Sequence, residues 1–469
     1  MAPRRRIPDD GSVVWVHGCA ALALLAMASC ESYAERALDP SAMLAALERE
    51  DESWATRDSA SMSEAIAALR RHNPNVVAAR ATHAQASAIA AVATPPRNPQ
   101  VGLGPLLFAG GGVATANRLG VQATLGWWLP LSARLARQDD VAAMRAQSAL
   151  MATLATEREE YLALRRDWAA AALGHAMERA SADLHHSTVV MADHRRRLAG
   201  GGGAATAVDV GLAELDQYTS HAAEHAARAE ALSLRLRLAE RCGLTPEAFA
   251  GLDDRCLPEL PKTVPDVATL SALLPDAPAL IRLGAEYRLA EAELHLEVAR
   301  QYPDLNLGGS YERDQGVHRI ALPFGIQLPV FDRNQKGIAA ANGRRDALGQ
   351  RYASEMRRRL HGLQGARALV VEQYGRWRHI RDEVHPIARE LVELAQRAAQ
   401  AGSLDAVGLL TLAARERSVR LDVLAAQRDL LAAWGRLEVL CGAPLLLFPD
   451  EPMPPLPTTP APDPEDVPR

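Results

Sequence analysis

The chain has 469 residues, enough for several average domains or one large repeated one, and 48% hydrophobic with 23% charged residues describes a folding polypeptide. Aromatics reach only 4% beside abundant alanine and leucine, which favours long helices and argues against an all-β sandwich with an aromatic core. A formal net charge of -5 from 52 basic and 57 acidic residues offers no basic field, so nucleic acid is not an expected partner.

Arg4, Arg5 and Arg6 precede a mostly apolar stretch from Val13 to Ala28 that ends in small residues, the layout of a secretory signal peptide over residues 1–29. Met27-Ala28-Ser29-Cys30 resembles the bacterial lipobox, which marks Cys30 for lipid modification and residues 30–60 as a lipid-anchored segment; plain signal cleavage is the alternative. Glu31 stands where an Asp usually retains a lipoprotein in the inner membrane, so onward sorting to the outer membrane is expected. Cys242 and Cys441 each precede a glycine at the end of a helical segment. Cys256 lies in a linker, and either pairs with Cys242 or leaves three free thiols. After the leader no run reaches the ~18 to 20 apolar residues of a spanning helix, so any membrane crossing must use strands.

The chain is internally duplicated. Pro74 through Gly104 aligns without a gap on Pro278 through Gly308, 278 − 74 = 204 residues later, and Gly126-Trp127-Trp128-Leu129-Pro130 matches Gly325-Ile326-Gln327-Leu328-Pro329. Cys242-Gly243 matches Cys441-Gly442 at the other end. Two repeats follow, residues 61–250 and 266–448, joined by a proline-rich linker at 251–265 and trailed by a proline-rich, disordered tail at 449–469.

Each repeat opens with a helix (Pro74 to Thr94; Pro278 to Arg300), after which period two replaces period 3.6. Strands are expected over about 99–108, 118–131, 303–313 and 317–331, within residues 99–131 and 303–331. Gly110-Gly111-Gly112 and Asp314-Gln315-Gly316 are the expected hairpin loops. Leu119, Val121, Ala123, Leu125 and Trp127 share one face, and Ile320, Leu322, Phe324, Ile326 and Leu328 repeat the pattern. Helical hairpins follow, over 134–242 and 334–441. Their first arms, Arg134 to Leu198 and Asn334 to Gln400, should each run on the order of 100 Å. They reverse at Gly200 to Gly203 and at Gly402.

The expected fold is therefore mainly α with a small membrane β portion, four strands per chain. Four strands cannot close a barrel, whereas two chains would pool eight and three twelve. Against this stands a soluble sheet packed on helices.

The duplicated helix, strand, strand, helix order, the Tyr302-Pro303-Asp304-Leu305 and Leu328-Pro329-Val330-Phe331-Asp332-Arg333-Asn334-Gln335 segments and the glycine-tipped hairpins resemble the TolC-type outer membrane efflux factors, over essentially the whole chain after Ser61. The second segment, running on into Lys336-Gly337-Ile338-Ala339-Ala340-Ala341, is closest to the heavy-metal branch, although Leu131-Ser132-Ala133-Arg134 departs from it in the first repeat. The resemblance implies a homotrimer with a twelve-stranded barrel in outer-membrane lipid, an α-barrel tunnel, a periplasmic adaptor and an inner-membrane resistance-nodulation-division pump. Heavy-metal cations are then the expected cargo. Multidrug efflux, type I secretion and, from another class, a soluble periplasmic coiled-coil scaffold are the alternatives.

A duct needs no nucleophile, and no catalytic set or cofactor is read from the chain. His221-Ala222-Ala223-Glu224-His225 matches the inverted zinc-protease pattern but has no evident third ligand, and reads as a solvated or tunnel-facing pair, as do His185 and His186. The hairpin tips, Leu198, Gly200, Gly203, Thr206, Gly402, Ser403 and Asp405, are the expected adaptor contacts. Asp209, two turns into the first returning helix, and Asp405 are the gate candidates, with a solvated helix-start aspartate as the alternative. Leu119, Val121, Leu125, Leu322, Phe324 and Ile326 are expected to face lipid. Trp127 and Trp128 either mark the membrane interface or pack on the helix junction.

Overall fold

The structure, a computed structural model, describes residues 33–55, 61–107, 119–201, 205–314 and 317–451. The leader with Cys30, the loop at Gly110-Gly111-Gly112, Gln315 and Gly316, Gly203 and residues 452–469 lie outside the described residues. Helix α1 (Pro40–Ala55) lies mostly in a first compact unit that ends at Ser53, and its N-terminus is capped by the Asp39 carboxylate, which accepts from the N–H groups of Ser41 and Ala42.

The second unit, Trp54–Arg469, carries the duplication. Its first repeat runs α2 (Met62–His72), α3 (Pro74–Ala90), β1 (Gln100–Leu107), β2 (Leu119–Pro130), α4 (Arg134–Gly200) and α5 (Ala207–Cys242). After a short α6 (Val267–Ala272) the second runs α7 (Pro278–Ala299), β3 (Asp304–Asp314), β4 (Val317–Ala321), β5 (Phe324–Ile326), α8 (Gln335–His379), α9 (His385–Gln400) and α10 (Ala406–Cys441). The opening helices of both repeats place proline in the first turn, where its missing N–H costs nothing. Both returning helices end on a left-handed glycine, Gly243 at φ +64 and Gly442 at φ +73.

Helix α4 spans 67 residues, on the order of 100 Å at about 1.5 Å per residue, and packs along α3, α5, α7 and α10. The second long arm differs from expectation. It is interrupted by a π turn at Ile380–Val384, just before Pro386. Proline has no N–H to give the preceding turn and its ring crowds the carbonyl four residues back; the wide turn absorbs both without ending the helix. The Arg381 guanidinium lies 3.9 Å from the Trp377 ring centroid at this turn.

The main core lies where the proline-rich linker and the short helices meet the middle of the long ones. Trp168 and Trp434 are fully buried there with Leu164, Leu238, Leu363 and Leu430. Trp168 meets Phe249 edge to face and donates its indole N–H to the Cys256 carbonyl at 3.2 Å. Cys242, Cys256 and Cys441 are all free thiols, so no Cys242–Cys256 disulfide forms. Glu259 of the linker pairs with Leu447 in an isolated bridge. Glu451, inside the stretch expected to be disordered, is held by an ion pair to the buried Arg165.

Candidate functional site

The strands form one antiparallel sheet in the order β1, β2, β3, β4, with β5 also on β3, so the two repeats join through β2 and β3. The expected fourth strand is broken. It loses its ladder at Leu322 and Pro323 and ends at Ile326, because the prolines at 323 and 329 cannot donate. The register nevertheless survives the break: Tyr311 faces Ile320, Leu307 faces Phe324 and Leu305 faces Ile326, while the Pro323 carbonyl accepts from Gly308 N–H at 2.7 Å.

Register decides which residues share a face. Val101 opposite Leu125, Leu103 opposite Ala123, Trp127 opposite Leu307 and Leu129 opposite Leu305 extend the same face as Tyr311 and Ile320. The side chains are bare within one chain: Val121 is 50% exposed, Leu125 53%, Leu322 79%, Phe324 81% and Ile326 46%. The Leu119 side chain lies outside the described ones, although its backbone pairs with Leu107. The opposite face carries Gln122, Thr124, Asn306, Ser310, Glu312 and Arg319 among glycines, and Gln122 donates to Glu312 at 3.3 Å. One face is mainly apolar, with Arg313 and His318 at its hairpin end, and the other mainly polar, with Trp128 beside Asn306 as its large exception. Among the described residues β1 pairs only with β2, and β4 and β5 only with β3, so both edges are open.

Where strands pass into helices, the segments singled out in the sequence become legible. Asp304 holds Arg134 at 3.1 Å, tying the start of β3 to the start of α4 in the other repeat. Asn334 sits in the left-handed region at φ 58 and donates to the Glu297 carbonyl at 2.9 Å and to its carboxylate at 2.6 Å, tying the turn before α8 to the end of α7. A Cβ on Gly337 would lie 2.4 Å from the Asn334 side chain and 2.6 Å from Glu297, so the Asn-Gln-Lys-Gly run builds a close-fitting turn. Glu297 was not singled out in the sequence, because nothing in its helical spacing announces a partner 37 residues away. The Trp127 indole N–H goes to the Arg97 carbonyl at 3.1 Å, next to this junction.

At the far ends, α4 closes at Gly200, with Leu198 half-buried two residues before, and α5 opens on Thr206. Asp209 stands in the first turn of α5, not two turns in: its carboxylate accepts from the Thr206 N–H at 2.9 Å and hydroxyl at 2.7 Å, completing a capping box. The Thr206 backbone and then its hydroxyl, with Arg195 3.6 Å away, hold the Asp209 carboxyl below its ordinary value. Arg196 bridges to Glu214 at 2.9 Å, so charged pairs cross the hairpin beside the tip. At the second tip Gly402 turns at φ +73, Ser403 donates its N–H to the Ala398 carbonyl at 2.9 Å, and Asp405 caps α10 through the Gly408 N–H at 2.9 Å. Both gate candidates thus serve helix starts, Asp405 as an exposed N-cap and Asp209 half-buried in its capping box.

The family profile described as outer membrane efflux protein matches residues 269–443. No match to a curated protein reaches significance. Among solved structures, the outer-membrane channel OprN superposes with a TM-score of 0.66 at 18% identity, over 82% of this chain and 90% of that one. CusC, described for its folding and transmembrane channel formation, gives 0.63 at 13% identity over 83% and 96%. The CmeC outer membrane channel of Campylobacter jejuni gives 0.64 at 11% identity over 88% and 90%. The second repeat thus carries the outer membrane efflux profile, and the two repeats together share the fold of these solved outer-membrane channels.

Proposed function

We propose that the chain is the outer-membrane duct of a tripartite export machine that carries heavy-metal cations. Three copies pool their strands into a closed barrel, and their long helices continue it as a tunnel into the periplasm. The observation that supports this most is the sheet, whose apolar face continues across all its strands while both edges stay open. In lipid each open edge must find a partner, and three copies supply twelve strands, enough for an aqueous lumen. Acylation at Cys30 anchors the chain on the same membrane.

Leu198, Gly200, Gly203, Thr206, Gly402, Ser403 and Asp405 are the surface offered to a periplasmic adaptor, which couples the duct to an inner-membrane resistance-nodulation-division pump. Asp209 and Asp405, repeated by symmetry, give the tunnel mouth an acidic ring that favours cations. The heavy-metal reading rests on residues 328–341, whose Asn334, Gly337 and Glu297 contacts account for the segment's composition. Drug export is the second reading, since the pump selects the cargo.

Metal and drug susceptibility of a strain lacking this chain tests the proposal. Selective sensitivity to metal ions supports the heavy-metal duct. Drug sensitivity alone moves the chain to the multidrug branch, and unchanged susceptibility to both counts against an export role.

A further inference from the structure

The histidines singled out in the sequence, and left unused by the duct, meet on one hairpin. His185 of α4 shares a hydrogen bond with Ser220 Oγ through Nδ1 at 3.1 Å, and its ring stacks on that of His221 of α5 at 4.8 Å between centroids. His221 in turn meets His225 one helical turn on, with Nε2 to Nε2 at 3.2 Å. Both α5 rings are exposed.

Two imidazole nitrogens at this separation have the bite of a chelate. A metal ion about 2.0–2.1 Å from each nitrogen, with an angle between them anywhere from square to tetrahedral, needs nitrogens about 2.9–3.4 Å apart. The observed 3.2 Å falls inside that window, so a metal ion can replace the hydrogen-bonded proton between the two rings once they turn in place to aim both lone pairs at it. Other histidines meet a single carboxylate or hydroxyl instead, His379 with Glu383, His385 with Glu416 and His318 with Tyr311.

Glu224, between the two histidines in sequence, is occupied by Arg228 at 3.4 Å. Among the described residues no group of three or more histidine, cysteine, aspartate or glutamate side chains is disposed to hold a metal. Any site here is therefore two-coordinate from protein and open to water elsewhere.

We infer that His221 and His225 chelate a divalent first-row transition-metal cation, copper(II) and nickel(II) before zinc, and not magnesium or calcium. Imidazole suits the borderline metals, and an open two-nitrogen site discriminates among them chiefly by their intrinsic order of affinity. His185 is a positioning residue: its stacked ring and its bond to Ser220 fix the plane of His221. An open chelate holds its ion weakly and exchanges it. The inference does not depend on what the duct exports, since binding to the pair is measurable on the isolated protein.

The test is titration of the full chain in detergent, carrying no polyhistidine tag, with copper(II) followed by electron paramagnetic resonance and with nickel(II) followed by calorimetry. The expected result is one ion per chain with hyperfine coupling from two nitrogens, undisturbed by excess magnesium. His221→Ala and His225→Ala should each weaken binding at least tenfold, and H186A, altering the exposed neighbour of His185, should not. His185→Ala keeps both ligands and should retain the two-nitrogen signature, which separates loss of a ligand from loss of the fold. Wild-type affinity and an unchanged spectrum in H221A or H225A would overturn the assignment.

Discussion

The guanidinium of Arg165 lies 2.9 Å from the carboxylate of Glu438, and the two side chains are 1% and 2% exposed. They come from the first arm of one repeat and the returning helix of the other, 273 residues apart, and Glu438 also accepts from the N–H groups of Leu445 and Leu446 at 2.7 and 2.9 Å. Arg165 also holds Glu451, so losing the arginine is costly because it leaves two buried carboxylates without their cation. Arg165→Met is expected to destabilise the fold by about 3–5 kcal/mol, and adding Glu438→Gln should recover part of the loss. Thermal unfolding of the detergent-solubilised variants reads both numbers.

Gly442 closes α10 where no side chain fits. A Cβ there would lie 2.6 Å from the Ala277 Cα, a backbone atom that cannot yield without moving the start of α7. Gly442→Ala adds this clash to about 1–2 kcal/mol for the left-handed backbone. Gly200→Ala, at the tip where nothing lies within 4 Å, should leave the unfolding temperature nearly unchanged. Equal effects at the two positions would contradict the close approach.

Burial pushes the Cys242 thiol from 9.0 up to about 12 and the Cys441 thiol from 9.0 up to about 11. Each folded-state value is raised, so the stabilisation is complete below pH 9 and is lost as pH climbs toward those values, by about 1.4 kcal/mol per pH unit for each thiol. The C242A/C441A double variant should show a shallower alkaline loss of unfolding temperature than the native chain. At pH 8 a thiol reagent should label the partly exposed Cys256 and spare the two buried ones.

The order of elements, the glycine tips and the apolar strand faces were legible in the sequence because each is periodic and each is written twice. The break at Pro323 was visible as a proline, yet its consequence was not: the carbonyl side of the ladder needs no N–H, so Gly308 keeps the register through it. The π turn before Pro386 has the same origin in α8 and α9. Asp209 was placed too deep because the start of a helix is set by its cap, Thr206, and not by the glycines before it. Pairs such as Arg165 with Glu438 or Asn334 with Glu297 join positions that no local pattern relates.

If the apolar face meets lipid, a charge on it blocks assembly whereas one on the other face does not. Leu322→Arg and Ile326→Arg should each cost about 2–4 kcal/mol near the bilayer midplane and deplete the outer-membrane fraction. Arg319→Glu, on the opposite face, should assemble normally. Loss of membrane recovery in all three, or in none, would sever the link between this sheet and lipid.

On the proposed function, the open-edged sheet is one third of a membrane barrel. Mass measurement of the protein extracted from the outer-membrane fraction tests it most directly. Three chains per particle is the predicted result, and recovery of single chains from the soluble periplasm would contradict it.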